Sequence, residues 1–202
     1  MSRTLLQKVD DLVIRHAAPL RHFDGLPALA LRLYLVPGFW MAGMQKFNHF
    51  DATVDWFGNP DYGLGLPFPL LLAGLATAAE LAGAMLLAVG LATRWISIPL
   101  LVTMLVAIFA VHLENGWQAI ADPAAPFANA QVMMAGEKLE RIRELLQAHG
   151  NYDWLTASGP VVILNNGIEF AVTYAVMLLA LMVQGGGRYV SLDYWLARWL
   201  RN

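Results

Sequence analysis

Apolar residues crowd four stretches of the chain, at about 27–50, 67–92, 95–114 and 160–184. A helix needs about 20 residues to cross the roughly 30 Å hydrocarbon core of a bilayer, and each stretch is long enough. The third is the plainest, reading WISIPLLVTMLVAIFAVHL from Trp95. Little more than Thr93 and Arg94 separates it from the second, so the two form an antiparallel hairpin. Pro67 and Pro69 open the second stretch and Pro160 the fourth, where a missing N–H costs little. Gly185, Gly186 and Gly187 end the fourth as a helix stop.

The flanking segments carry a different pattern. Leu5, Val9, Leu12 and Val13 share one helical face, with Arg3, Lys8 and Arg15 elsewhere, which reads as a helix lying on a membrane surface. The first 25 residues have no continuous apolar core of the kind a signal peptide needs. Leu192, Trp195, Leu196, Trp199 and Leu200 repeat the amphipathic pattern, with Ser191 as N-cap. Between the spans lie loops 51–66 and 115–159, the second containing the helical run EKLERIRELL. In that run Leu139, Ile142, Leu145 and Leu146 form an apolar stripe, read as a solvated cap over the mouth of the bundle. The expected fold class is all-α: an integral membrane four-helix bundle, one domain over residues 1–202, with amphipathic terminal helices and an outer helical loop.

Composition strengthens this picture. Hydrophobic residues make up 58% and charged residues 14%, where soluble domains carry roughly 25% charged. A formal net charge of −2 gives no basic field for nucleic acid. With no cysteine, the chain can form no disulfide, thiolate metal site or iron–sulfur cluster of its own. Trp56, Trp117 and Trp154 flank the spans on one side and Trp95, Trp195 and Trp199 on the other, as interfacial belts, while Trp40 lies inside a span. One side holds Arg3, Lys8, Arg15, Arg21, Arg94, Arg188, Arg198 and Arg201; the other holds Lys46, Lys138, Arg141 and Arg143. The positive-inside rule then puts both termini in the cytoplasm.

Polar groups inside the spans carry the candidate chemistry. Each charge at membrane depth costs at least ~2.5–3.5 kcal/mol, yet Arg32, Lys46, Glu80 and Glu169 all fall there, joined by His112, Asn165 and Asn166. Counted along ideal helices from Phe68 and Pro160, Glu80 and Glu169 lie ~18 and ~14 Å deep. Asn165, Asn166, Glu169 and Thr173 would share one face of helix four, and Arg32 and Lys46 one face of helix one. The faces are expected to converge as an intramembrane polar cluster, either pairs that staple the bundle or a site for protons or a polar ligand. His112 reads best as a helix-end cap. Met41, Met44 and His49, with His112, are the candidates for a soft-metal site, although nine methionines in a membrane protein mostly pack. No phosphate loop, nucleophile elbow, zinc-protease or dinucleotide motif occurs.

These residues together resemble the DoxX family of four-helix membrane proteins. The resemblance runs through Arg32, Gly43 and Lys46, through Glu80, Gly83, Gly90 and Arg94, through His112, and through the tail GGGRYVSLD ending at Asp193. WFGNPDYGLGLPFP from Trp56, HGNYDWLT from His149 and LNNGIEFAVTY from Leu164 resemble the HvfX-type subgroup. That resemblance implies a bacterial inner-membrane protein supporting maturation, export or redox state of a secreted copper-binding ribosomal peptide, with peptide-maturation proteins as partners. Other DoxX relatives imply a quinone-interacting subunit of a membrane oxidoreductase complex, with a redox partner; a purely structural assembly subunit is the third reading. Quinone and copper both stay open as cofactors, and the lipid bilayer is the one partner that every reading shares.

Overall fold

The computed structural model describes residues 23–201. The expected N-terminal surface helix around Leu5, Val9, Leu12 and Val13 lies outside the described residues. The elements are α1 (Leu26–Asn48), α2 (Phe50–Gly58), α3 (Pro69–Val89), α4 (Thr93–Val106), α5 (Ala130–His149), α6 (Tyr152–Thr156), α7 (Glu169–Gln184) and α8 (Leu192–Trp199). A π-helical turn at Ala107–His112 and a 3-10 turn at Leu113–Asn115 extend α4. The described residues are mostly helical, and their extended pairing is limited to one antiparallel bridge, Ile120 with Leu164.

Three helical segments are long and apolar enough to cross a membrane: Leu26–Asn48, Pro69–Val89 and Thr93–Asn115. At 1.5 Å per residue they reach about 32–35 Å. Their outward side chains, among them Leu33, Met41, Leu70, Leu75 and Phe109, are large, apolar and exposed. Water solvates such a surface poorly, whereas lipid tails solvate it well. The chain is a helical membrane protein.

The fourth apolar stretch differs from expectation. Its helix begins at Glu169, not Pro160, and runs 16 residues, about 24 Å. Asn165, Asn166 and Gly167 are poor helix formers. Asn166 takes the left-handed conformation at φ 59°. The backbone here bonds elsewhere: Asn165 and Asn166 N–H donate to Ala119 O at 2.9 Å each, and Gly167 N–H to Gln118 O at 2.9 Å. Asn165 and Asn166 therefore do not share a helix face with Glu169, and the depth counted from Pro160 no longer applies to Glu169.

The chain divides into two compact units, one of the described residues up to Leu100 with those from Met177 onward, the other Leu101–Val176. In the first, α1 packs on α3. Ala28, Arg32, Leu35, Phe39 and Gly43 form the buried stripe of α1, and Ala73, Thr77, Glu80, Gly83, Ala84 and Leu87 that of α3. A Cβ on Gly43 would come within 2.8 Å of the Leu81 side chain, so glycine is what lets the two backbones approach. In the second unit Ile108, Ala171 and Ala175 are the buried core, with Leu101, Met104, Ile168 and Val172 against it. There Asn129 caps α5, its Oδ1 accepting from Val132 N–H at 2.9 Å. Val132 and Ala135 anchor the first turns of α5, while Ile142 and Leu145 of the expected apolar stripe stay exposed.

Candidate functional site

Arg32 is 0% exposed and serves the backbone. Its Nη1 donates to Leu87 O at 3.0 Å and Val190 O at 3.1 Å, and its Nη2 to Tyr189 O at 2.7 Å. Leu87 belongs to the last turn of α3, whose carbonyls have no partner within the helix. The segment after α7 completes the knot. Asp193 accepts from the N–H groups of Ala92 (2.6 Å) and Thr93 (2.9 Å), the unpaired donors at the start of α4. Ser191 Oγ donates to Gly90 O at 3.1 Å and accepts from Tyr194 N–H, which caps α8. Gly90 sits at φ 62° with no room for a side chain: a Cβ would lie 2.6 Å from Arg32 Nη1. Arg32 and the SLD tail thus join the end of α3 to the start of α4.

Lys46 and Glu80 make the second group. Lys46 Nζ donates to both carboxylate oxygens, at 2.9 and 2.8 Å. The side chains are 27% and 5% exposed, so Glu80 is closed in and Lys46 is partly open. Burial demands such a pairing, since an unpaired carboxylate in an apolar core is far costlier than a bonded one. Gly43, one turn before Lys46, supplies the close helix approach that makes the contact reachable. Arg32 and Lys46 therefore engage separate partners rather than one cluster.

In the second unit His112, Asn165, Asn166 and Glu169 belong to one hydrogen-bond network. His112 Nδ1 lies 2.9 Å from Asn166 O, so that nitrogen carries the proton. Asn115 Nδ2 donates to the same carbonyl at 3.1 Å. Asn165 Nδ2 donates to Asn115 O (2.8 Å) and Gln118 O (2.7 Å). Glu169 Oε2 accepts from Ala119 N–H at 3.0 Å. Gln118, which sequence reading did not single out, is buried; its Nε2 donates to Asp122 O and Pro126 O, and its Oε1 accepts from Asp122 N–H. Gly167 was the available signal: a Cβ there would lie 2.5 Å from Gln118 O, so only glycine lets the two segments close. Glu169 lines a cavity of about 490 Å³ together with Trp117, Phe127 and Phe170.

Among the described residues no group of three or more His, Asp or Glu side chains is placed to hold a metal ion. Met41 and His49 of the soft-metal candidates are exposed, Met44 is half-buried, and His112 is committed through Nδ1 to Asn166. Outside the spans, Tyr62 donates its phenol to Asp55 in the loop after α2. That hydrogen bond holds the phenol above its ordinary range, with desolvation and the Asp55 charge adding to the rise.

A Bacillus subtilis (strain 168) protein named "Putative oxidoreductase CatD" is 34% identical over 94 residues, 46% of this chain and 66% of that protein. The chain thus spans just under two thirds of that relative's length. An uncharacterized protein of Haemophilus influenzae is 24% identical over 174 residues, 84% of this chain and 83% of that protein. No solved structure matches significantly. Residues 28–113, which contain Arg32, the Lys46–Glu80 pair and His112, match the DoxX family.

Proposed function

We propose that this chain is a DoxX-type accessory subunit of the bacterial inner membrane, both termini cytoplasmic, that supports a redox reaction carried by a partner. The Lys46–Glu80 pair carries this reading. An ammonium bonded to both oxygens of an enclosed carboxylate, on a partly exposed side chain, is suited to holding or passing a proton beside electron transfer. The oxidoreductase name of the Bacillus relative supports the same class. In this reading the partner carries the electrons, on a flavin, a quinone or both. The test is purification of the tagged chain in mild detergent. A flavin- or quinone-bearing partner should co-purify, and membranes lacking the chain should lose the matching quinone-reductase rate. Unchanged rates in those membranes, with no redox partner bound, would overturn the proposal.

A second reading makes a secreted copper-binding peptide the client. It is favoured by the HvfX-like stretch from Leu164, which supplies Asn165, Asn166, Gly167 and Glu169 to the second unit. Mass spectrometry of the secreted peptide in cells lacking this chain decides it. Unmodified or unexported precursor supports this client, and normal mature peptide removes it.

A further inference from the structure

We propose that the cavity in the second unit is a binding site for a quaternary ammonium group. It is an open cleft of about 490 Å³, within the size range of small-molecule sites, with Phe127 74% and Phe170 59% exposed on its rim. Trp117, Phe127 and Phe170 give it aromatic walls, and Trp117 and Phe127 stand 5.7 Å apart with planes inclined at 55°. Phe127 is held at φ 64°, a conformation that L-residues adopt at a cost and that often marks a ligand clamp. The two acids on the lining, Asp122 and Glu169, are joined there by no Lys, Arg or His. Aromatic faces beside a carboxylate, with no competing base, attract a cation.

The hydrogen-bonding inventory narrows the cation. Gln118 spends its amide on Asp122, Ala125 and Pro126. Asp122 Oδ1 accepts from Ala124 N–H. Ala119 N–H occupies Oε2 of Glu169, which leaves Oε1 to balance a charge. A primary ammonium would bring three N–H donors to a cavity with few free acceptors, and a guanidinium five. A quaternary ammonium brings none, and its methyl groups suit the aromatic faces. The group belongs either to a free solute or to a lipid headgroup. This site goes beyond the redox reading and does not depend on it.

The test is equilibrium dialysis of radiolabelled choline against the full chain in maltoside micelles. One choline should bind per chain, displaced by tetramethylammonium and not by 3,3-dimethylbutan-1-ol, the uncharged isostere. Glu169→Gln retains an oxygen for Ala119 N–H, so the fold survives while the charge goes; it should weaken binding about tenfold or more. Trp117→Leu should do the same, and Phe127→Leu serves if Trp117→Leu does not fold. Equal displacement by the uncharged isostere, or wild-type affinity in Glu169→Gln, overturns the proposal, as does absence of binding. Repeating the titration in nanodiscs distinguishes the sources. Choline binding suppressed by phosphatidylcholine but not by phosphatidylglycerol supports the headgroup; equal binding in both supports the free solute.

Discussion

Replacing Lys46 by Met removes both hydrogen bonds to Glu80 at once. Glu80 is 5% exposed and has no other bonded side-chain partner among the described residues. Removing one member of a buried pair costs about 3–5 kcal/mol, because the remaining charge stays desolvated. Lys46 is about a quarter exposed, so the lower end of that range applies. A staple and a working site would both lose this energy, so the single variant cannot tell them apart. The Lys46→Met/Glu80→Leu double variant can, since it leaves no orphaned charge. A packed apolar pair should restore stability to wild type, or exceed it by about 1–4 kcal/mol. The assay is thermal unfolding in micelles for all four corners of the cycle, alongside the quinone-reductase rate of membranes carrying each. The expected result is a stable double variant without activity. A Lys46→Met protein unfolding with the wild type would refute the pairing energetics, and an active double variant would make the pair a staple.

The other predictions draw on separate parts of the molecule. Since no native cysteine interferes, a single Cys at exposed Ala148 should be labelled by an impermeant thiol reagent from the periplasmic side, and one at Arg201 should not; the opposite pattern inverts the topology. Arg32→Met leaves the Tyr189 and Val190 carbonyls without their Arg32 donor and Leu87 O with Gly90 N–H alone, so it should destabilise by roughly 2 kcal/mol or more. Arg32→Lys should recover only part of this, because one ammonium cannot reproduce a planar fork; full recovery in unfolding midpoint would count against the carbonyl-clamp reading. Tyr62 should titrate above the ordinary tyrosine value in ultraviolet difference spectra, and that step should vanish in Tyr62→Phe. Its folded value is raised, so the stabilisation it brings is present below the unfolded tyrosine range near pH 10 and is lost as pH rises through the folded value. A titration curve that keeps its high step in Tyr62→Phe would exclude the Asp55 contact as the cause.

Hydrophobic patterning was enough to find the three long apolar helices, because a run of twenty apolar residues has few alternatives. It failed over Pro160–Ile168 for a definable reason. Val161, Val162, Ile163 and Leu164 are as apolar as a helix but too few to establish a period, and an apolar run of that length suits an extended segment equally. Asn165, Asn166 and Gly167 marked the true helix boundary, four residues before α7 settles into its ladder. The polar residues were legible as unusual but not as partners. Arg32 and Lys46 share a face of α1, yet fourteen residues of helix set them about 21 Å apart. Arg32 reaches carbonyls near residue 190, a pairing across 157 positions that no local pattern announces. Gln118 was invisible for the opposite reason: one glutamine in a polar loop is unremarkable until its amide is found buried.

What separates the buried charges is what each one bonds. Arg32 bonds backbone carbonyls through its two Nη atoms, its buried Nε finding no partner, and holds two helix ends together, which assigns it to the scaffold. Lys46 differs. Two of its three N–H donors go to Glu80, and its side chain is 27% exposed while that of Glu80 is 5% exposed. The proposed relay makes Lys46 the way by which a proton reaches Glu80. Lys46→Arg tests this directly. Arginine keeps the positive charge and can bond both carboxylate oxygens, so folding and membrane level should match the wild type. It holds its proton far more firmly than lysine, so relay through this position should stop. The expected outcome is a normal melting profile with most of the quinone-reductase rate lost. A Lys46→Arg protein with full rate would show that charge alone suffices there, and would leave the pair holding α1 against α3 and nothing more.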